Sequence, residues 1–244
     1  MWWLARRDNL GEALLTGSFE NAELAFARRF LKSGMVVLDV GAHHGLYTLL
    51  ASKLVGKDGK VYAFEPSSRE RRALRLHLAL NRCGNVAVQP VAVARSDGES
   101  EFHVVDGSET GCNSLKPPNV ASGTSPTTVR AVSLDSWMQR ENVSTVDFIK
   151  LDVEGAELEA LEGASLLLER RPRPMAVVEV QDVRTAPWGY RAKEIVSFLE
   201  SKGFVWFELL RDGSRKRLET NGDVFDGNFA ACPDELLGQM EDGV

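Results

Sequence analysis

Apolar positions in this chain fall in short, nearly unbroken runs that alternate with stretches of helical spacing. Val36–Val40, Lys60–Phe64 and Val86–Val93 read as the first three strands, and Phe148–Asp152, Met175–Val180, Phe204–Leu209 and Asn228–Cys232 as four more. Between them Tyr47–Leu54, Arg69–Asn81, Ala156–Glu169 and Ala192–Lys202 repeat their apolar residues with the period of an α-helix. Strands with little polar alternation are expected when helices cover both faces of a sheet. The rhythm predicts an α/β, Rossmann-like fold with a doubly wound, mostly parallel sheet of seven strands.

The middle of the chain breaks this rhythm. Glu101–Val105 and Thr127–Val132 read as an inserted β-hairpin around Asp106–Ser125, which has no apolar periodicity. A loop of that length in a compact domain is either functional or a solvated insertion, and here it is a candidate lid. Ahead of Val36, a helical pattern offers Leu24, Phe26, Phe30 and Leu31 as a packing face. Residues 1–34 are therefore read as an N-terminal helical segment packed on the core, and 35–244 as the main domain.

Composition narrows the function classes. The chain has 244 residues, 43% hydrophobic and 26% charged, enough to bury a core without disulfides or metals. Cys83, Cys112 and Cys232 match neither a zinc spacing nor a disulfide framework, which suits a reducing, cytoplasmic compartment. A net charge of −6 argues against a nucleic-acid partner, whose phosphates call for a basic surplus. No run is long enough for a membrane span, and the N-terminus lacks the apolar core of a signal peptide. Trp2 and Trp3 beside Arg6 and Arg7 suit a segment packed on its own domain better than a membrane-surface anchor. The sequence sets no oligomeric state.

Three motifs carry chemistry. The first, Leu38-Asp39-Val40-Gly41-Ala42-His43-His44-Gly45, is a strand, a glycine turn and a helix start. Gly41 allows a ligand close to the main chain, Gly45 allows the helix close to the strand, and the helix start offers free N–H groups. The spacing is Asp-x-Gly-x-x-x-Gly, not the Gly-x-Gly-x-x-Gly of dinucleotide sites. An acid before the first glycine suits a cationic ligand and opposes a pyrophosphate, so Asp39 favours S-adenosylmethionine (SAM) over NAD. The second motif is Phe64-Glu65-Pro66, in which Glu65 ends the second strand, where a carboxylate can accept both ribose hydroxyls of a nucleoside. Asp97, after the third strand, is a candidate for the adenine amino group, although Asp97-Gly98 also reads as a plain turn.

The third motif is Ile149-Lys150-Leu151-Asp152-Val153-Glu154-Gly155-Ala156-Glu157. Asp152 falls at the strand end, and Glu154 and Glu157 at the start of the next helix, on the edge where open α/β sheets bind ligands. Glu179 and Gln181 end the next strand on the same edge and are candidates for the acceptor pocket. With these motifs and Val178-Glu179-Val180, the chain resembles the FkbM family of SAM-dependent methyltransferases from about Ser18 to Pro233. The Lys-x-Asp-x-Glu-Gly stretch is the most specific part of the match. The family more often has Asn at the place of His43 and His at the place of Gln181.

The resemblance implies a class I SAM-methyltransferase fold and, most often, O-methylation of a hydroxyl on a sugar, polyketide or related small molecule. Its cofactor would be held by Asp39, Gly41, His43, Gly45, Glu65, Asp97 and Asp152. Loss of the acceptor proton calls for a base. Asp152 is the first candidate, with Glu154 and His43 behind it. A metal is not assigned: the acids could hold Mg²⁺, but Asp152 and Glu154 stand two apart and need not point together. The alternatives are N- or protein methylation, or SAM binding without catalysis.

Overall fold

Burial explains why the apolar runs become strands: Val37, Leu38, Val40, Val61 and Ala63 are at most 2% exposed. Each Val or Leu side chain so removed from water contributes about 1.5–3 kcal/mol. The computed structural model describes residue 3, residues 9–17 and residues 19–238. In chain order the elements are α1 (Asn9–Thr16), α2 (Asn21–Phe30), β1 (Val36–Val40), α3 (Leu46–Val55), β2 (Lys60–Phe64), α4 (Ser68–Leu80), β3 (Val86–Gln89), β4 (Ala92–Val93), β5 (Gly98–Val105), β6 (Thr124–Val132), α5 (Leu134–Glu141) and β7 (Phe148–Leu151). There follow α6 (Glu157–Glu162), α7 (Ser165–Glu169), β8 (Met175–Gln181), α8 (Asp182–Thr185), α9 (Ala192–Ser201), β9 (Phe204–Leu209), β10 (Arg215–Arg217) and β11 (Asp226–Pro233).

The main sheet runs β10-β9-β11-β8-β7-β1-β2-β3. From β8 to β3 every pairing is parallel, while β11 is antiparallel to β8 and β9. The seven expected strands are thus joined by β10, a short antiparallel partner of β9 at the edge. Strand order reverses between β1 and β7, which is where such a sheet opens a crevice for ligands.

Alternate residues along each strand serve opposite faces. Leu38, Val40, Ile149, Leu151, Val178 and Val180 pack on one side with Trp137, Leu161 and Ile195. Val37, Val61, Phe148, Met175 and Val177 pack on the other with Leu24, Phe26, Leu46 and Leu50. Of the expected N-terminal packing face, Leu24, Phe26 and Leu31 are buried and Phe30 is partly buried against Phe148. Trp3 stacks on His77 with ring centroids 4.0 Å apart. Trp2, Arg6 and Arg7 lie outside the described residues, as do 239–244 of the expected main domain. No helix among the described residues is long and apolar enough to cross a membrane.

Two expected elements are divided. Val86–Val93 splits at Pro90: β3 stays in the main sheet, and β4 joins a separate three-stranded sheet, β4-β6-β5. Pro90 has no N–H to give a ladder, and the pairing of β3 with β2 ends at Gln89, just before it. The predicted helix Ala156–Glu169 is α6 and α7, parted at Gly163-Ala164. Within 106–123, the turn Thr110–Cys112 is a 3-10 helix, and Ser114 bridges back to His103 of β5.

Candidate active site

Strand register sets the site. Val40 is level with Phe64 on β2 and Leu151 on β7, and Leu151 with Val178 on β8. The next residue on each strand is therefore Glu65, Gly41, Asp152 and Glu179, a row across the C-terminal edge. Neighbouring strands are about 4.8 Å apart, so each meets the next. Asp39, Lys150, Asp152 and Glu179 share one face by the two-residue alternation of strands.

Two cavities adjoin at this row. The smaller has about 500 Å³ of empty volume and is lined by Val40, Phe64, Glu65, Val91, Val93 and Phe102, with Thr110, Asn113 and Leu115 from the inserted loop. The larger, about 1130 Å³, is lined by Asp39, Gly45, Tyr47, Lys150, Glu179 and Arg184 and reaches Leu10 and Ala13 of α1. Gly41, His43, Gly111, Asp152 and Glu154 line both. Gly41 has φ +87°, and a Cβ there would sit 1.7 Å from the Asp152 carbonyl oxygen, so glycine is required where β1 and β7 meet.

Glu65 is nearly buried at the smaller cavity. Its Oε2 accepts from the His43 N–H at 2.8 Å and its Oε1 from the Ser67 N–H at 2.7 Å. Each oxygen keeps a lone pair for a further donor. Burial pushes the carboxyl up to about 7, against those two backbone bonds. Asp39 is buried beneath the glycine turn and accepts from the Thr48 hydroxyl, and burial raises it to about 6. His43 has a left-handed backbone (φ 48°), lies 3.1 Å from the Thr110 hydroxyl and stacks on His44. His44 Nε2 lies 2.7 Å from Glu70, and His103 pairs with Glu101, outside both linings.

The acids after β7 are held differently from one another. Lys150 donates to Asp152 at 3.0 Å and to Asn228 at 2.9 Å. Burial alone would lower the Lys150 ammonium, but Asp152, Glu20 and Glu179 outweigh it and hold it above its ordinary value. Glu154 adopts φ 57° and Gly155 φ 102°, a left-handed turn that folds the Glu154 carboxylate back beside Asp152. Arg184 Nε approaches Glu154 to 2.8 Å, off the axis of a hydrogen bond. Burial, then the Asp152 charge, drives Glu154 well above the usual carboxylate range. Glu157 stays out of the cavities: its Oε1 accepts from the Val153 and Gly155 N–H groups and so ties this turn.

The structure thus gathers Asp39, Gly41, His43, Gly45, Glu65, Asp152, Glu154 and Glu179 around adjoining cavities. Asp97 is set apart. Its carboxylate accepts from Ser133 N–H at 2.9 Å and Ser136 Oγ at 3.0 Å and pairs with Arg140, which ties it to the start of α5. Gln181 ends β8 level with Asp226, beyond both linings. Glu20, Tyr47, Arg184 and Asn228 escape the sequence reading. Only Asn228, a polar residue at the head of an apolar run, carries a local signal; Tyr47 donates to Glu20 at 2.6 Å across the chain.

The sheet order, the glycine turn and the acid ending β2 define a class I SAM-methyltransferase fold. The profile of the methyltransferase FkbM domain matches residues 39–206, and the chain belongs to that family, whose cofactor is SAM. A methyltransferase FkbM from Methylobacillus flagellatus KT is similar in structure, with TM-score 0.54 and 16% identity over 86% of this chain and 47% of that one. This chain thus spans about half the length of that protein. The precorrin-6y C5,15-methyltransferase of Geobacter metallireducens GS-15 gives TM-score 0.51 and 12% identity over 87% of each chain. At these identities the likeness is one of fold. No curated protein matches the chain significantly.

Proposed function

We propose that this chain transfers the methyl group of SAM to a hydroxyl of a small molecule. The observation that carries the reading is the row Glu65, Gly41, Asp152, Glu179 between two adjoining cavities. The smaller suits adenosine, with both ribose hydroxyls donating to Glu65 and the base among Phe64, Val91, Val93 and Phe102. The glycine turn and Asp39 suit the methionine part, whose ammonium needs an acidic neighbour. The methyl group then faces the larger cavity, and the acceptor lies against Asp152 and Glu154.

Methyl transfer is an in-line displacement, and holding oxygen, carbon and sulfur in line is a large part of catalysis. The acceptor proton leaves to a carboxylate. Lys150 occupies Oδ2 of Asp152 and leaves the other oxygen to orient or deprotonate the hydroxyl. Lining from α1 and the turn Thr110–Cys112 supports a small-molecule acceptor over a nucleic-acid strand. A sugar, a polyketide or a related hydroxyl compound fits. Incubation with SAM and a panel of such compounds, read as S-adenosylhomocysteine formed, tests the reading. Turnover on amines or peptides alone would replace it.

A further inference from the structure

Within the larger cavity, Asp152, Glu154 and Glu179 each present an oxygen, and these atoms lie within 4.8 Å of one another. Lys150 offsets Asp152 and Arg184 offsets Glu154. Glu179 is only 7% exposed, its Oε2 is buried without a hydrogen-bond partner, and no ion pair reaches it among the described residues. A buried carboxylate left so is costly unless a cation or donor completes it. The side chain lines the cavity, so whatever completes it enters from there.

We propose that Asp152, Glu154 and Glu179 bind a hard divalent cation, Mg²⁺ or Mn²⁺. The ligand atoms are all carboxylate oxygens, the donor set such ions select over zinc or copper. Oxygens around a six-coordinate ion with bonds of about 2.1 Å stand about 3–4.2 Å apart, inside the 4.8 Å within which these three atoms lie. The left-handed turn at Glu154 and Gly155 makes the convergence possible, although the two acids stand two apart in sequence. Mg²⁺ keeps open positions for water or substrate oxygens, so the ion would bind the acceptor hydroxyl and ease loss of its proton. The inference rests on the proposed role of this cavity as the acceptor site.

The test titrates the metal-stripped full chain with Mn²⁺, with and without S-adenosylhomocysteine, and follows free Mn²⁺ by electron paramagnetic resonance. The expected result is one Mn²⁺ per chain with Kd below about 1 mM, displaced by Mg²⁺. Glu179→Gln should weaken Mn²⁺ at least about tenfold, roughly the 1.4 kcal/mol of one decade, and bind S-adenosylhomocysteine like the parent. No Mn²⁺ binding by a chain that does bind S-adenosylhomocysteine overturns the cation. So does equal Mn²⁺ binding by Glu179→Gln, which marks adventitious sites. Saturation by ethanolamine in place of Mn²⁺ also overturns it, in favour of an ammonium acceptor. Failure to bind S-adenosylhomocysteine counts against the proposed function instead, and the ligand-free titration still decides the metal.

Discussion

Glu65→Gln removes a charge at constant shape, in a carboxylate that already accepts two backbone N–H groups. The amide keeps one accepting oxygen and turns its NH₂ towards a backbone donor, so one backbone bond and one ribose bond are lost. A hydrogen bond to a charged group is worth about 1.5–3 kcal/mol. That corresponds to roughly ten- to a hundredfold weaker S-adenosylhomocysteine binding. pH adds a second signature. Burial places the folded Glu65 carboxyl at about 7, above its ordinary value of 4.5. The ligand-free protein therefore holds a proton here that the ribose hydroxyls, as donors, must displace. Affinity rises with pH until about 7 and then levels, with roughly a tenfold loss per unit below. For the unliganded fold the sign is opposite: stability from this group is full below about 4.5 and is lost as pH rises through about 7. Calorimetric titrations of both proteins between about pH 5 and 8 read both effects, because the variant lacks the step near 7. Equal affinity and equal pH profiles in the two proteins would refute the ribose assignment.

Gly41→Ala places a Cβ 1.7 Å from the Asp152 carbonyl at φ +87°, so it should cost more than about 3 kcal/mol in denaturant unfolding and weaken cofactor binding. Asp97→Ala should leave S-adenosylhomocysteine affinity unchanged and cost about 1 kcal/mol or less, because its bonds to α5 are exposed. Asp152→Asn should keep that affinity and lower turnover by about 10²–10⁴, the scale of a lost general base; unaltered turnover would reduce Asp152 to a structural acid.

Legibility follows the range of the interactions. Strand ends announce themselves through apolar runs that stop at an acid or glycine, and parallel register then brings Glu65, Gly41, Asp152 and Glu179 level without further information. What was not legible depends on partners distant in sequence. Asp97 looked like a third-strand acid, but Ser133 and Arg140 claim it from α5. Arg184 and Glu20 reach the larger cavity from segments with no motif. The meeting of Asp152 with Glu154 depends on a left-handed backbone at a glutamate, which residue identity does not signal. Val86–Val93 reads as one strand despite Pro90, and the transfer of β4 to a second sheet depends on pairing with β6.

The central claim, methyl transfer from SAM to a hydroxyl oxygen, is tested most directly with SAM carrying a ¹³C-labelled methyl group. The chain is incubated with that cofactor and small hydroxyl acceptors, and the labelled product is examined by ¹³C NMR. The account predicts a methoxyl carbon, with one S-adenosylhomocysteine formed per methyl transferred. Label found on nitrogen, or a cofactor that binds without turning over on any acceptor, would contradict it.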